Sequence, residues 1–275
     1  MIKEVFIMEI VTSVDDFSSL KENRITGNPK MSSSKITFQG SGNVLYCENN
    51  VNLVDCSILF GGNNSLIYLS STNSNYSFNL HIFQNSVVFI GRDNNLTPPI
   101  NINVQEHQNL IIGDECIIGS GTNIRTSDAH IIYDINTKKR VNHSGSVLIG
   151  DHVWLGHLSY VSKGVNIGSG SIIDNYSYVP SYVKLDSNNL YGGNPINLLK
   201  KEVFFTKDYV GNFEKEYSEN VDEYVSGIYV YSQKPGETLE FNKVSSLLSN
   251  FKVEEKLDFI EKLFIRNKKH DRFSI

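Results

Sequence analysis

The sequence predicts a mainly β protein built as a parallel β-helix. Apolar residues recur at intervals of six, a spacing that fits neither an α-helix nor the simple alternation of a flat sheet. A small or β-branched residue follows each of them four places later, which suits a narrow interior. Such a hexapeptide repeat gives short strands that stack coil on coil around a shared core. The apolar positions are Ile149, Leu155, Val161, Ile167, Ile173 and Val179, with Ile112, Ile118 and Ile124 upstream in the same phase.

The N-terminal part, residues 1–108, is predicted to contain irregular or degenerate coils of the same β-helix. It begins with the strand-like segment VFIMEIV and continues with short β-type runs such as KITFQ, NVLYC and SVVFIG. Asn, Gly and Ser separate these runs, as is typical of turns. The hexapeptide phase is poor here, so the composition of the runs alone indicates that the coils continue.

The strong repeat occupies residues 109–199, which form the predicted core. Its phase breaks once, because Ile124 and Ile149 lie 25 residues apart, one more than four hexads. The intervening segment SDAHIIYDINTKKRVNHSGS is polar and charged, so a loop is predicted to leave the coil at about 125–148. In residues 200–275, GIYVYSQ predicts a strand. Apolar spacings of three and four between Val244 and Phe264 predict one or two amphipathic helices.

Composition excludes several classes of protein. The 275 residues carry a formal net charge of −5 without a basic domain, so no nucleic-acid partner is expected. We expect a cytoplasmic protein without a membrane span, because no signal peptide or long apolar stretch is visible. The three cysteines are interpreted as buried thiols. Neither they nor the histidines have metal-ligand spacing, so no metal site is expected.

Three motifs together carry a resemblance to a known family. They are the repeat itself, the element GDHVWLG around Trp154, and GGNP followed by INLLKK. The segment from about 109 to 201 resembles hexapeptide-repeat acyltransferases. This resemblance implies a left-handed β-helix, acetyl-CoA as co-substrate, and a homotrimer with sites between subunits. The position of His130 ahead of Trp154 more narrowly resembles capsule O-acetyltransferases of the meningococcal type, which implies a sialylated glycan acceptor.

His130 is the predicted general base. A sugar hydroxyl is a weak nucleophile until a base takes its proton during attack, and histidine can do so near neutral pH. His130 lies where the repeat breaks into the loop; a structural or capping role is the alternative. Its partner stays open between Asp128, Asp134 and a main-chain carbonyl. Further candidates, on the loop or at outward places near turns, are His143, His152 and His157.

The resemblance also implies which residues surround the substrates. Trp154 forms a wall beside the thioester, or alternatively packs at a subunit interface. The predicted acetyl-CoA contacts are Trp154, Gly156, Lys163, Gly168, Ser177, Gly193, Asn194, Pro195, Lys200 and Lys201. The lysine pair among them is equally typical of a solvated face. The predicted acceptor contacts are Tyr133, Lys138, Lys139, Arg140 and Tyr178, whose alternatives are a solubilising loop tip and packing of the trimer.

The leading interpretation is an acetyl-CoA-dependent O-acetyltransferase that modifies hydroxyls of a surface glycan by direct transfer. Two alternatives stay open. One is an N-acetyltransferase acting on an amino-sugar nucleotide, and the other is a non-catalytic β-helix scaffold.

Overall fold

The computed structural model describes residues 8–275, and most of its strands belong to three sheets around one interior. The strands are β1 (Glu9–Val11), β2 (Arg24–Thr26), β3 (Lys30–Ser32), β4 (Lys35–Phe38), β5 (Val44–Cys47), β6 (Asn52–Val54), β7 (Ser57–Phe60), β8 (Leu66–Leu69), β9 (Asn79–Ile82), β10 (Val87–Ile90), β11 (Asn95–Leu96), β12 (Asn101–Val104), β13 (Asn109–Ile112), β14 (Ile117–Ile118), β15 (Asn123–Arg125), β16 (Val147–Ile149), β17 (Trp154–Leu155), β18 (Tyr160–Val161), β19 (Asn166–Ile167), β20 (Ile172–Ile173), β21 (Tyr178–Val179), β22 (Lys184–Leu185), β23 (Leu190–Gly192) and β24 (Asn197–Lys200).

From β1 to β23, successive strands belong to different sheets, which is the arrangement of a β-helix. Sheet one has the order β1-β4-β7-β9-β12-β15-β18-β21, and sheet two has the order β2-β5-β8-β10-β13-β16-β19-β22. Sheet three has the order β11-β14-β17-β20-β23-β24, and β3 pairs separately with β6. Pairing is parallel except at β1–β4 and β23–β24. The predicted parallel β-helix is therefore confirmed.

The interior contains the residues that the repeat predicts. All nine apolar positions of the hexapeptide phase are fully buried, as are Cys116 and Thr122 in the small-residue places. The three cysteines are free and buried, as expected. One continuous apolar core runs through the coils from Val11 to Tyr191. Burial of this stripe holds the coils together, because each coil alone would leave its apolar side chains in water.

The N-terminal coils are regular, which corrects the prediction of irregular or degenerate coils in residues 1–108. Each turn there is longer than three hexads. Ile36 pairs with Ile58 and Leu80 with Ile102, a repeat of 22 residues, and the pairings of Arg24 with Val44 and of Leu66 with Val87 give 20 and 21. In the later coils Val161 pairs with Val179, a repeat of 18. The extra residues at the corners conceal the six-residue phase without disturbing the stacking. The predicted strand VFIMEIV spans residues 5–11; its first three residues lie outside the described residues, and Glu9–Val11 form β1.

The corners of the later coils have one residue each with positive φ. These residues also recur at intervals of six, three places after the inward apolar residue: His152, Leu158, Gly164, Gly170, Tyr176, Tyr182 and Asn188, with φ between 54° and 74°. Only two of these residues are glycine. The other five adopt the left-handed region although it has a steric cost for a residue with a β-carbon. The stacking of coils therefore imposes the corner conformation, irrespective of the residue's own preference.

The C-terminal part covers the outer face of sheet two. It contains α1 (Lys215–Glu219), α2 (Phe241–Asn250) and α3 (Val253–Ile260), the last continued by a π-helical turn at Glu261–Ile265. A second apolar core lies between sheet two and the part of the chain from α2 onward. Its members are Val44, Leu66, Tyr68, Val87, Phe89, Ile111 and Leu148 from the sheet with Phe241, Val244, Leu248, Ile260, Phe264 and Phe273 from the C-terminal part.

The predicted strand GIYVYSQ is absent: residues 227–233 are irregular. Their main chain is held by a side chain in place of a neighbouring strand. Asn188 Nδ2 donates to the Tyr229 carbonyl at 2.7 Å, and Tyr231 N–H donates to Asn188 Oδ1 at 2.6 Å. The alternating aromatic residues that indicated a strand instead stack on histidines: Tyr229 on His152 and Tyr231 on His270.

A buried ion-pair network fixes the C-terminus to the coils. Arg272 is 2% exposed, and its guanidinium donates to both oxygens of Asp151, at 2.8 and 2.7 Å. It also lies 2.9 Å from an Asp114 oxygen and donates to the Phe264 carbonyl at 2.5 Å. Because Asp151 is buried as well, removing the guanidinium would leave a carboxylate without its counter-charge in a poorly solvated site.

Arg272→Met is therefore expected to lower the free energy of unfolding by about 3–5 kcal/mol. Urea denaturation followed by circular dichroism measures this change. The matched control is Lys262→Met, which removes a lysine paired with Asp258 on an exposed surface and should cost less than about 1 kcal/mol. Equal effects of the two substitutions would contradict a structural role for the buried network.

Candidate active site

The loop predicted at about 125–148 is a hairpin that leaves one corner of the β-helix. Regular pairing stops at β15 in sheet one and resumes at β16 in sheet two, so the loop lies at the corner between these sheets. The hairpin closes through hydrogen bonds from Val141 N–H to the Ile132 carbonyl, 3.0 Å, and from Asp134 N–H to the Lys139 carbonyl, 2.9 Å. Its two arms therefore bring residues 131–134 beside residues 139–141.

Two ion pairs fix the base of the hairpin. Arg140 donates to both carboxylate oxygens of Glu106, at 2.8 and 2.7 Å. The Lys163 ammonium, which is 6% exposed, pairs with Asp128. Asn142 also donates to Asp128, at 2.9 Å. The loop is thus attached to the neighbouring coils by charge-assisted bonds at both of its ends.

The carboxylates of these pairs stay ionised over a wide pH range. Arg140, followed by Ser144, lowers the pKa of Glu106 to about 2. Lys163 and then Asn142 lower the pKa of Asp128 below its usual value. Because each pKa is depressed in the docked loop, the stabilisation is complete above the ordinary carboxylate range and is lost as the pH falls through the depressed value. Near neutral pH the docking is independent of pH.

His130 lies exposed at the start of the hairpin. It borders a cleft of about 340 Å³, which is also lined by Phe83, Gln105 and Ile131. Within residues 8–275 its imidazole has no hydrogen-bonding partner. The two carboxylates considered as its partner are engaged elsewhere: Asp128 with Lys163 and Asn142, and Asp134 with the main-chain N–H groups of Asn136 and Thr137. Its ring nitrogens are therefore free to form a hydrogen bond with a bound molecule.

Trp154 lies on the opposite side of the β-helix. It is 40% exposed on β17, in sheet three, whereas the His130 loop leaves the corner between sheets one and two. In a three-sided coil this corner lies opposite sheet three. One chain therefore does not bring the two predicted catalytic residues together. Beside the indole is Phe205, with ring centroids 5.7 Å apart.

Several predicted acetyl-CoA contacts share sheet three with Trp154. After β23 the chain turns at Gly193, where φ is 105°, and returns antiparallel as β24, so that Leu190 pairs with Lys200. The three residues of the turn and both lysines are exposed: Gly193, Asn194, Pro195, Lys200 and Lys201. Sheet three therefore presents an aromatic residue at one point and a basic edge three strands away.

Four other predicted acetyl-CoA contacts have roles within the protein: two side chains are already bonded, and two glycines lie where coils approach closely. Ser177 points inward, donating to the Asp174 carbonyl at 2.6 Å and accepting from Gly193 N–H at 3.2 Å. Lys163 pairs with Asp128, so it is not available for a phosphate. At Gly156 and Gly168 a β-carbon would lie 2.6 Å from Asn175 N and 2.7 Å from Ser187 N. These glycines are required because coils approach closely at the corners.

Some of the predicted acceptor contacts are likewise exposed, and others are engaged within the protein. The Arg140 guanidinium is held by Glu106, so in this chain it is paired and not free for the acceptor. Lys138 and Lys139 are exposed at the hairpin tip, and Tyr133 is 60% exposed beside them. Tyr178 lies on sheet one, half-buried against Tyr160, with ring centroids 5.8 Å apart.

His152 is completely buried, because the C-terminal segment covers its ring. Its ring is stacked between Phe205 and Tyr229, at centroid distances of 4.0 and 4.1 Å. Its Nε2 donates to the Phe205 carbonyl at 2.9 Å, and burial lowers its pKa. This stack, which sequence reasoning missed, attaches the C-terminal segment beside Trp154. Its only sequence signal is the run of aromatic residues after GGNP.

The remaining candidate histidines have structural contacts. His157 Nδ1 accepts from Ser120 N–H at 3.0 Å, and the His143 carbonyl accepts from the Tyr182 hydroxyl at 2.5 Å. In the described part of the chain no group of three or more His, Cys, Asp or Glu side chains is placed to hold a metal ion. Over the same residues, no helix has the length and apolar character that crossing a bilayer requires.

Replacing Lys163 with Met tests whether this lysine holds the loop or contacts a phosphate of acetyl-CoA. We expect faster amide hydrogen exchange in residues 127–146, because Asp128 loses its ion pair, while the KM for acetyl-CoA stays within about twofold. Hydrogen-exchange mass spectrometry and steady-state kinetics measure the two effects. Asp128→Asn should give the same exchange pattern, and Lys138→Met at the exposed tip should leave it unchanged. A large rise in the acetyl-CoA KM without faster exchange would restore the phosphate role.

Comparison with known proteins finds similarity to polysialic acid O-acetyltransferases. No protein-family profile matches the chain. The polysialic acid O-acetyltransferase of Neisseria meningitidis is 29% identical over 131 residues, which are 48% of this chain and 60% of that protein. The polysialic acid O-acetyltransferase of Escherichia coli is 31% identical over 122 residues, 44% of this chain and 39% of that protein. The chain thus spans less than two thirds of each of these relatives.

Solved structures agree with the sequence comparison. The crystal structure of the polysialic-acid-specific acetyltransferase NeuO matches with a TM-score of 0.62 and 28% identity, covering 72% of this chain and 95% of that one. The polysialic acid O-acetyltransferase OatWY matches with a TM-score of 0.61 and 22% identity, covering 70% and 92%, and so shares the fold. These similarities confirm the resemblance found in the sequence: the chain is similar to polysialic acid O-acetyltransferases in sequence and in fold.

Proposed function

We propose that this protein is an acetyl-CoA-dependent O-acetyltransferase that modifies hydroxyl groups of a sialic acid polymer. The observation that carries the proposal is the similarity to NeuO, which extends over 95% of that chain. The described residues support it in two ways. An exposed histidine lies at the edge of a cleft. An exposed tryptophan shares one sheet with Lys200, which Lys201 follows directly.

His130 acts as the general base in this proposal. Its unprotonated ring nitrogen takes the proton of the sugar hydroxyl while the hydroxyl oxygen forms a bond to the thioester carbonyl carbon. The tetrahedral intermediate then collapses, the carbon–sulfur bond breaks, and the imidazolium returns the proton to the departing thiolate. One acetyl ester and one free thiol result, and no acyl-enzyme is needed.

The complete site forms between two copies of the chain, because His130 and Trp154 lie on opposite sides of one β-helix. Further support comes from the His130 hairpin, whose apolar side chains are exposed. A surface of this kind is typical of a contact with another protein. A ring of three copies would place the hairpin of each against sheet three of the next. The exposed side chains are Ile131 (51%), Ile132 (53%), Ile135 (79%) and Val141 (59%).

The two substrates are assigned to the two sides of this junction. Acetyl-CoA lies along sheet three, with Trp154 beside the thioester, Gly193, Asn194 and Pro195 along its path, and Lys200 and Lys201 near its phosphates. The acceptor approaches from the hairpin, where Lys138 and Lys139 attract the carboxylates of a sialic acid polymer. The assignment uses only side chains that the protein leaves exposed.

Incubation with labelled acetyl-CoA and a panel of glycans tests the function. We expect acetyl transfer to sialic acid oligomers and little transfer to neutral oligosaccharides of equal length. His130→Ala should reduce kcat by at least about a hundredfold, as expected for loss of a general base, with acetyl-CoA affinity and assembly unchanged. Robust acetylation of another glycan but of no sialylated one would reject the acceptor, and undiminished turnover by His130→Ala would reject the base.

Mixed assemblies test whether two chains share a site. His130→Ala and Trp154→Ala carry different affinity tags, are co-expressed, and are purified through both tags. Each mixed trimer then contains one site with an intact histidine and an intact tryptophan, so we expect about one third of wild-type turnover. Each variant alone is the control. Mixed assemblies no more active than the controls would place both residues in the site of a single chain.

A further inference from the structure

A polar groove runs along the outer face of sheet two, beside helix α2. It consists of two adjoining cavities of about 640 and 420 Å³, which share Asn166, Phe241 and Asn242 as lining residues. One end lies at Gly145 and Ser146, where the His130 hairpin rejoins the β-helix, and the other lies at the C-terminal residue Ile275. The groove therefore begins at the corner that carries the proposed general base.

The floor of the groove forms where the outward side chains of sheet two change from apolar to polar. Leu148 pairs in register with Asn166, and Asn166 pairs with Lys184. The outward residues of earlier coils are apolar and covered by the helices, whereas these last two are polar. Lys184 is exposed, and among residues 8–275 it has no ion-pair partner. An unpartnered cation at the end of a polar strip suits an anionic ligand.

Asn166 is the strongest indication that a ligand binds. Its side chain lines both cavities and is 8% exposed, yet its carboxamide oxygen has no hydrogen-bonding partner among the described residues. Leaving a buried acceptor unpaired is costly, and natural proteins rarely do so without a ligand or water to pair with it. Rotation of the amide presents either a donor or an acceptor to the groove.

The walls provide an aromatic surface and a polar stripe. Tyr182 is 54% exposed, its ring lies over Gly145 and Gly164, and its hydroxyl is fixed by the His143 carbonyl. Opposite it, α2 presents small polar side chains at helical spacings of three and four: Asn242, Ser245, Ser246, Ser249 and Asn250. An aromatic face together with amides and hydroxyls suits a sugar ring, which has apolar faces and a hydroxyl edge.

We propose that this groove binds the acceptor polysaccharide at residues beyond the one being acetylated. Sugar hydroxyls bond to Asn166 and Asn242, one ring packs on Tyr182, and Lys184 pairs with a carboxylate of the chain. The inference rests on the proposed function, whose acceptor it extends from a single sugar to a segment of chain. A short acceptor reaches only the transfer site, whereas a long one also occupies the groove.

Substitutions in the groove test this inference through the dependence on acceptor length. For Asn166→Leu we expect the KM for a long sialic acid polymer to rise about tenfold, equivalent to the loss of one or two hydrogen bonds. The kcat, the acetyl-CoA KM and the kinetics with a sialic acid disaccharide should not change. Lys184→Glu should act similarly. The matched control is Lys35→Glu, at an exposed lysine on sheet one.

Binding without turnover provides the second measurement. Fluorescent sialic acid octamer should bind wild type more tightly than Asn166→Leu at equilibrium, with equal melting temperatures showing that the variant is folded. If wild type acetylates polymer but both groove variants keep its KM and affinity, the groove is rejected and the proposed function stands. If the wild-type protein neither acetylates nor binds any sialylated glycan, the proposed function is rejected. The groove is then rejected as an acceptor site as well.

Discussion

Every part of this structure depends on the in-register stacking of one coil on the next. The main-chain hydrogen bonds of each strand are made to the coils above and below, so each coil must follow the same three-sided path. This constraint explains why the corner residues adopt positive φ whether they are glycine, histidine, leucine or tyrosine. It also explains why 19 additional residues, the difference between the Ile124–Val161 and Val161–Val179 spacings, leave at a corner as a hairpin. A corner is the place where chain can be added without breaking a strand.

A second constraint follows from the outer face of sheet two, which is apolar over much of its length and cannot face water. The C-terminal helices cover it, and a buried arginine with two carboxylates fixes their end to the corner residues Asp114 and Asp151. The aromatic stack on His152 attaches the preceding segment to the same region. The C-terminal part is therefore packed as an integral layer of the protein, and it determines which surfaces remain free.

The exposed surfaces proposed to bind the substrates lie on different sides of the β-helix. Sheet three carries the exposed Trp154 and the basic edge, the opposite corner carries His130, and sheet two carries the polar groove next to that corner. A single chain separates the proposed donor and base surfaces, whereas its groove and its base lie side by side. This arrangement suits a reaction in which a long acceptor lies on one chain and the acyl donor on its neighbour.

The sequence by itself determined the parallel β-helix, the interior positions and the site of the hairpin, because an interior apolar residue every six positions depends on local periodicity alone. It did not reveal that the coils of the N-terminal half are 20 to 22 residues long, since longer corners shift the phase while leaving the stacking intact. The sequence does contain a signal for the covered face of sheet two, because strands such as LIYL and VVFI show no alternation with polar residues. The meaning of this signal becomes clear only when the structure shows helices over these strands.

The candidate site was less predictable. His130, Trp154, Lys200 and Lys201 could be selected from motifs, because exposure follows from their place in the repeat or at its end. Only the tertiary structure decided that Lys163 and Arg140 are committed to Asp128 and Glu106, since those carboxylates are 35 and 34 residues away along the chain. The burial of His152 and the opposed positions of His130 and Trp154 were decided in the same way. Such pairings depend on which corners the coils bring together, and no local pattern encodes that.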